Sequence, residues 1–195
     1  MKTTCILLLS GLLVLAACKK DTIKSTPSTT PTQIPVPNAD FENWDQMIRP
    51  LSWQANGCPL CQGAPFDEYV VRQDSETVYH GKYSVQLYNN FNFQAYVKTK
   101  FATILHPTYL QAYVKDTMLS TADSVLIKVD VYYQKQHVDS GLWQGTAAIK
   151  NYTQLRIPIS QNSTHADTTI ITIHGQVPGR LYSSSFWVDD LSLYK

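Results

Sequence analysis

The sequence predicts an all-β fold, a β-sandwich of two antiparallel sheets with jelly-roll topology. Three observations predict it. Apolar and polar residues alternate with period two along most of the body of the chain, as they do in strands with one buried face. Clusters of Gly, Pro, Asn, Asp and Ser break these runs at short intervals, as turns do. No stretch carries an apolar stripe at helical spacing over a useful length.

The chain opens with Lys2, then an apolar run from Ile6 to Leu15 broken only by Ser10 and Gly11, then small residues. That layout predicts a signal peptide over residues 1–17, too short to span a bilayer comfortably. "LAAC", Leu15 to Cys18, resembles a bacterial lipobox. The resemblance implies cleavage before Cys18, lipidation of its thiol and an outer-membrane lipoprotein held by its N-terminal lipid; Lys19 rather than Asp after the cysteine argues against inner-membrane retention. Ordinary signal cleavage at the Ala-x-Ala-like residues, with Cys18 a bystander, is the alternative. Residues 18–37 are Lys-, Ser-, Thr- and Pro-rich without apolar period, so a disordered tether is expected. Residues 38–195 suit one domain.

Within that body, "YSVQLY" separates Val85 and Leu87 from Gln86 and Tyr88, and "FQAYVKTKF" separates Ala95 and Val97 from Tyr96 and Lys98. "TYLQAYVKD" puts Leu110, Ala112 and Val114 opposite Tyr109, Gln111 and Tyr113. "SVLIKVDVYYQ" puts Val125, Ile127, Val129 and Val131 opposite Lys128, Asp130 and Tyr132. "YTQLRIPI" and "TTIITIH" continue the pattern, and "DFENW", "EYVVRQ", "LWQGTAAI" and the C-terminal "FWVDDLSLY" complete roughly ten strands. Turns are expected at "HGK", "YNNFN", "DSG", "QNSTHAD" and "VPGR".

Charge excludes one class of partner. The chain carries 16 Lys and Arg against 15 Asp and Glu, and loss of the signal removes Lys2. No basic stripe remains, so nucleic acid is not an expected partner. Cys58 and Cys61 in "GCPLCQG" predict a local disulfide in an exported chain; Gly63 and Pro65 oppose the helix a redox motif needs, and no second Cys or His pair completes a zinc site.

Twelve Tyr against six Phe give much of the aromatic surface a polar handle. Flat aromatic faces suit the apolar face of a pyranose, and amides suit its hydroxyls. The polar strand faces carry Tyr88, Tyr96, Tyr109, Tyr113 and Tyr132; if those strands share a sheet, they line one tyrosine-rich surface. Tyr also pairs well across half-exposed strands for purely structural reasons. Trp143, in "DSGLWQG", suits an exposed platform between glycines. Trp53 is a loop candidate that could equally plug the end of the sandwich.

The ordered set "PNADFENW", "LSW", "HGKYSVQL", "TYLQAYVK" and "FWVDDLSLY" resembles the galactose-binding-like jelly-roll modules of Bacteroidota surface lipoproteins, a group that includes carbohydrate-metabolism domains and the carbohydrate-binding modules of glycanases. The resemblance covers residues 38–195 and implies a two-sheet sandwich, surface exposure and glycan binding. It also implies a structural calcium ion between the first and last strands, at "DFE" and "VDD". Asp189 falls in phase with Trp187, Leu191 and Leu193, the expected buried face, where an isolated carboxylate is too costly. Calcium takes carboxylates and carbonyls, so Asp189, Glu42, Asp40 and Asp190 are the candidate ligands. A carboxylate facing water at a strand end, or paired with Lys or Arg, is the alternative.

The expected function is a non-catalytic, surface-anchored binding module for glycans. A structural or adhesive module for a cell-surface protein partner is the alternative, since the same aromatics suit protein interfaces. A glycoside hydrolase is least supported: Glu occurs only at Glu42, Glu68 and Glu76, and no catalytic motif appears.

Overall fold

A computed structural model of the chain describes residues 30–45, 49–56, 70–89, 95–117, 124–175 and 184–195. The signal peptide, residues 18–29 of the tether with Cys18, and the Cys58–Cys61 pair lie outside the described residues. The described residues hold thirteen strands and no helix. Four are two residues long: β1 (Gln33–Ile34), β2 (Trp44–Asp45), β3 (Arg49–Pro50) and β4 (Gln54–Ala55). The others are β5 (Val71–Asp74), β6 (Ser84–Asn89), β7 (Tyr96–Ala102), β8 (Tyr109–Asp116), β9 (Val125–Tyr133), β10 (Gln136–Gly145), β11 (Ile149–Pro158), β12 (Thr168–His174) and β13 (Ser184–Tyr194).

Two main sheets form the sandwich. The larger runs β11-β8-β13-β6-β5, with β1 added to the C-terminal end of β13; the smaller runs β10-β9-β12-β7-β4. All pairings are antiparallel, and β2 and β3 make a separate hairpin. Alternation builds the core. Val85, Leu87, Leu110, Ala112, Val114, Phe186, Val188 and Leu193 point inward from the larger sheet, and Val97, Ile127, Val129, Val131, Ile171 and Ile173 from the smaller; each is fully buried. The all-β sandwich of the sequence reading is the fold observed.

Four expectations change. The folded body starts before residue 38: β1 pairs Gln33 with Tyr194 and Ile34 with Leu193, and Ile34 joins the core. "DFENW" is mostly a loop, because Asn38 and Phe41 take left-handed backbone angles (φ 45° and 52°) that drive the fully buried Phe41 inward. Asp40 and Glu42 therefore do not share a strand face.

"DSG" is not a turn. Asp139, Ser140 and Gly141 lie inside β10, and the turn is at Gln134–Lys135. Gly141 sits where the chain must approach closely, since a Cβ there would lie 2.6 Å from the Pro158 carbonyl oxygen. This register turns Trp143 inward, opposite Ile127, to stack on Phe186 at 6.2 Å, and leaves Leu142 outside. Trp143 is not an exposed platform.

The last strand carries a bulge. Asp189 faces Tyr113 and Ser192 faces Gln111, so three steps on β13 oppose two on β8. Asp190 absorbs the extra residue with φ 48°. The bulge resets the phase: Trp187 and Asp189 face outward, while Val188, Leu191 and Leu193 face the core. Asp189 thus shares no face with the leucines.

Candidate functional site

The five candidate tyrosines divide between the sheets. Tyr88 on β6 and Tyr109 and Tyr113 on β8 flank β13 in the larger sheet; Tyr96 on β7 and Tyr132 on β9 flank β12 in the smaller. They line two opposite surfaces rather than one. Trp53 is buried, packs on Phe41 at 5.1 Å and donates its indole N–H to the Pro37 carbonyl oxygen at 3.0 Å. It plugs the sandwich.

On the larger sheet the ring faces are covered by the protein itself. Arg156 lies 3.8 Å from the Tyr109 ring centroid, and Tyr194 stacks on the same ring at 4.8 Å. Tyr79 stacks on Tyr113 at 3.7 Å and 12°. Arg72 sits 4.6 Å from the Tyr88 centroid, and Lys115 lies 5.4 Å from that of Trp187.

Tyr79 belongs to the loop of residues 75–83, which three carboxylates fasten over this face. Asp74 Oδ1 accepts the Glu76 and Thr77 N–H groups at 2.7 and 2.9 Å, while its Oδ2 accepts the Trp187 indole N–H at 2.7 Å. Asp189 Oδ2 accepts the Tyr79 and His80 N–H groups at 2.9 and 3.1 Å, and its Oδ1 that of Asp190 at 2.8 Å. Glu42 Oε1 accepts the Lys82 and Tyr83 N–H groups at 2.7 and 3.0 Å. Gly81, at φ 77°, lets the loop close on Glu42, since a Cβ there would lie 2.2 Å from Oε1.

These contacts explain the aspartate in the last strand. Asp189 has no exposed surface, and burial pushes its carboxyl up to about 6 despite three N–H donors. Glu42 grips the next stretch of the same loop. Among the described residues no group of three or more Asp, Glu, His or Cys converges to hold a metal. Asp40 and Asp190 instead line a polar cleft of about 420 Å³ with Asn38 and Asn43. The chain ends do meet: the Leu191 N–H donates to the Ala39 carbonyl oxygen at 3.0 Å.

The outer face of the smaller sheet is different. Here Tyr96, Lys98 and Lys100 of β7, Thr168, Ile170, Thr172 and His174 of β12, and Lys128, Asp130 and Tyr132 of β9 lie side by side. A cleft of about 580 Å³ opens among Lys100, Tyr132, Gln134, Lys135, Asp167, Thr168 and Ile170. Tyr132 meets His137 only edge-on, at 5.4 Å and 77°. Among the described residues no other ring and no cation lies against it.

The cleft wall is a strained turn. Gln134 and Lys135 both have left-handed backbones, φ 51° and 67°, the conformation that Asn-Gly usually supplies. Each costs on the order of 1 kcal/mol. Asp167 holds the turn by accepting the Gln134 N–H on Oδ2 at 2.6 Å, and its own N–H donates to the Tyr132 carbonyl oxygen at 2.9 Å. Asp130 takes both Lys128, at 2.9 Å, and His137, at 3.1 Å. Burial, with Lys98 nearby, lowers the His174 imidazole pKa. The arrangement can stack a sugar ring and donate hydrogen bonds around it. Asp167 is the one carboxylate in its lining, whereas glycosidic hydrolysis takes two across a cleft.

Of the residues lining this cleft, the sequence reading names Tyr132 as a candidate and does not name Lys100, Gln134, Lys135, Asp167, Thr168 or Ile170 as one. The available signal was that alternation runs on through "DSGLW", which places the turn one step earlier.

A second buried carboxylate organises one end of the sandwich. Asp139 accepts Ser160 Oγ–H at 2.7 Å, the Asn162 and Ser163 N–H groups at 2.9 Å each, and His106 Nε2–H at 2.9 Å. Burial alone would raise its pKa; these donors outweigh burial and hold it at about 2.

No family model and no curated protein matches the chain. Solved structures do. The carbohydrate-binding module TmCBM61, solved with β-1,4-galactotriose, is 14% identical, with 82% of this chain and 97% of that one covered and a TM-score of 0.50. A carbohydrate-binding module of the β-sandwich superfamily, described as promiscuous in specificity, is 9% identical over 74% and 57%, at 0.54. The Stig cyclase Fisc from Fischerella sp. TAU, in complex with a pyrrolidinylidene-indole, is 11% identical over 85% and 98%, at 0.52. The chain therefore has the carbohydrate-binding-module-like jelly-roll fold. That fold carries both sugar and indole ligands, so function must be argued from the site.

Asp139 has a pKa below its ordinary 3.8, so its contribution to stability is present above about pH 4 and lost as pH falls towards 2. Asp139→Asn is expected to lower stability at neutral pH by about 1–3 kcal/mol, with the gap to wild type narrowing from pH 4 to pH 2. Urea unfolding across that range reads it, and a gap independent of pH contradicts it.

Proposed function

We propose that this chain is a non-catalytic glycan-binding module, tethered to the cell envelope by a lipid on Cys18 and facing outward from the outer membrane. The observation that carries the reading is the asymmetry of the two outer faces. The tyrosines of the larger sheet have their rings covered by Arg72, Arg156, Tyr79 and Tyr194, whereas Tyr132 borders an open cleft of about 580 Å³ among hydrogen-bonding side chains. A half-exposed ring beside amide, hydroxyl and ammonium groups is the chemistry of a pyranose site. The kinship of fold with sugar-bound modules is consistent with it. The single carboxylate in the cleft supports binding without hydrolysis.

We also propose that a calcium ion adds to the pinning of the 75–83 loop, with Asp189 and Glu42 as its carboxylate ligands. The support is that buried Asp189 and Glu42 fasten adjacent stretches of one loop, Asp189 with its carboxyl raised by burial.

Two tests follow. On a polysaccharide panel the protein is retarded by at least one glycan, Tyr132→Ala weakens this by about tenfold or more, Tyr109→Ala leaves it unchanged, and no reducing ends appear. In cells, Cys18→Ala moves that binding from the membrane to the soluble fraction. Retention of a protein partner with no glycan bound favours the adhesive reading, and turnover on the panel refutes the non-catalytic one. For the ion, EDTA lowers the melting temperature and calcium restores it; an unchanged melting curve leaves the N–H contacts as the only pin.

A further inference from the structure

We propose that the cleft on the outer face of the smaller sheet selects an acidic sugar, its anionic group held between Lys100 and Lys135 and its ring against Tyr132. The proposal rests on the reading of this face as a glycan site and specifies the ligand class.

Three observations carry it. The first is which charges are already spent. Lys128 is paired with Asp130, which also takes His137. Lys98, Lys100 and Lys135 have no carboxylate within 4.0 Å among the described residues. Lys98 and Lys100 stand on one face of β7, two residues and so about 7 Å apart, and the field of Lys98 is felt by His174. Two like charges on one strand face repel unless an anion joins them.

The second is the state of Asp167, the only acid lining the cleft among the described residues. Its Oδ2 is 2.6 Å from the Gln134 N–H, so part of its charge is committed to holding the turn. The lining thus has two free ammonium groups against one engaged carboxylate.

The third is the turn itself. Lysines on outer strands are common as guards against edge-to-edge pairing, and that explanation suffices for Lys100. It does not reach Lys135, which holds a left-handed backbone at φ 67° where glycine or asparagine would sit without strain. A long cation in a strained position at the rim of a cleft is a pattern of functional sites. With Lys100 across β12 from it, an anion in the cleft is approached from two sides, as uronates and sulfate esters require.

The test is affinity electrophoresis of the full-length chain in gels containing polygalacturonate, its fully methyl-esterified form, dextran sulfate or dextran. Each pair keeps a backbone and changes its charge. The expected result is retardation by an acidic polymer about tenfold or more stronger than by its neutral counterpart. Lys100→Gln and Lys135→Asn each lower it about tenfold, the loss of one charge-assisted contact. Asparagine is chosen because it accepts the left-handed backbone. Lys150→Gln, on the exposed strand β11, leaves retardation unchanged. Preference for polygalacturonate identifies a uronate, and for dextran sulfate a sulfate ester. Equal binding of neutral polymers, lost in Tyr132→Ala, overturns the acidic inference and leaves the glycan site standing. An equal weakening by Lys150→Gln shows general polyanion attraction and overturns the inference. Binding to none of these or other glycans overturns both.

Discussion

The fastening of residues 75–83 over the larger sheet is the constraint on which the functional layout depends. A loop lying on a sheet needs its backbone N–H groups satisfied. Here Asp74, Asp189 and Glu42 accept six of them, from Glu76 to Tyr83. Because Asp189 comes from the last strand and Glu42 from the first loop, closing the loop also brings the chain ends together. Once closed, the loop lays Tyr79 on Tyr113 and shields Trp187. One outer face of the sandwich is thereby consumed by the fold, and the other is left open.

On that remaining face, topology does the positioning. β12 sits between β7 and β9, so Lys100 and Tyr132 stand one strand either side of it, while the β9–β10 turn raises Gln134 and Lys135 at the end of the cleft. Asp167, at the foot of β12, fixes the turn through one hydrogen bond. A binding surface built on paired strands and one pinned turn is preorganised, and less ordering entropy is lost on binding.

How much of this was legible in the sequence varies with the range of the interaction. Strands β6 to β9, β11 and β12 were readable because burial of one face imposes period two locally. Asp189 was recognised as anomalous, but its face was misassigned, because a one-residue bulge inverts every side chain beyond it and Asp190 gives no glycine to announce a left-handed residue. The β9–β10 turn was missed for the same reason: Gln-Lys is an unusual occupant, and "DSG" looked the better turn, so Trp143 fell on the wrong side. The division of the tyrosines was not readable at all. Whether β6, β7, β8 and β9 share a sheet depends on pairing with β12 and β13, which lie far along the chain. The charge balance of the cleft depends on the same distant pairing.

The central claim is that ligand meets the smaller sheet and not the larger. Backbone amide shifts recorded while a bound oligosaccharide is titrated in test it most directly. The account predicts that the perturbed amides cluster at residues 98–100, 132–135 and 167–170. A cluster at residues 109–113, 152–156 and 79 would contradict it.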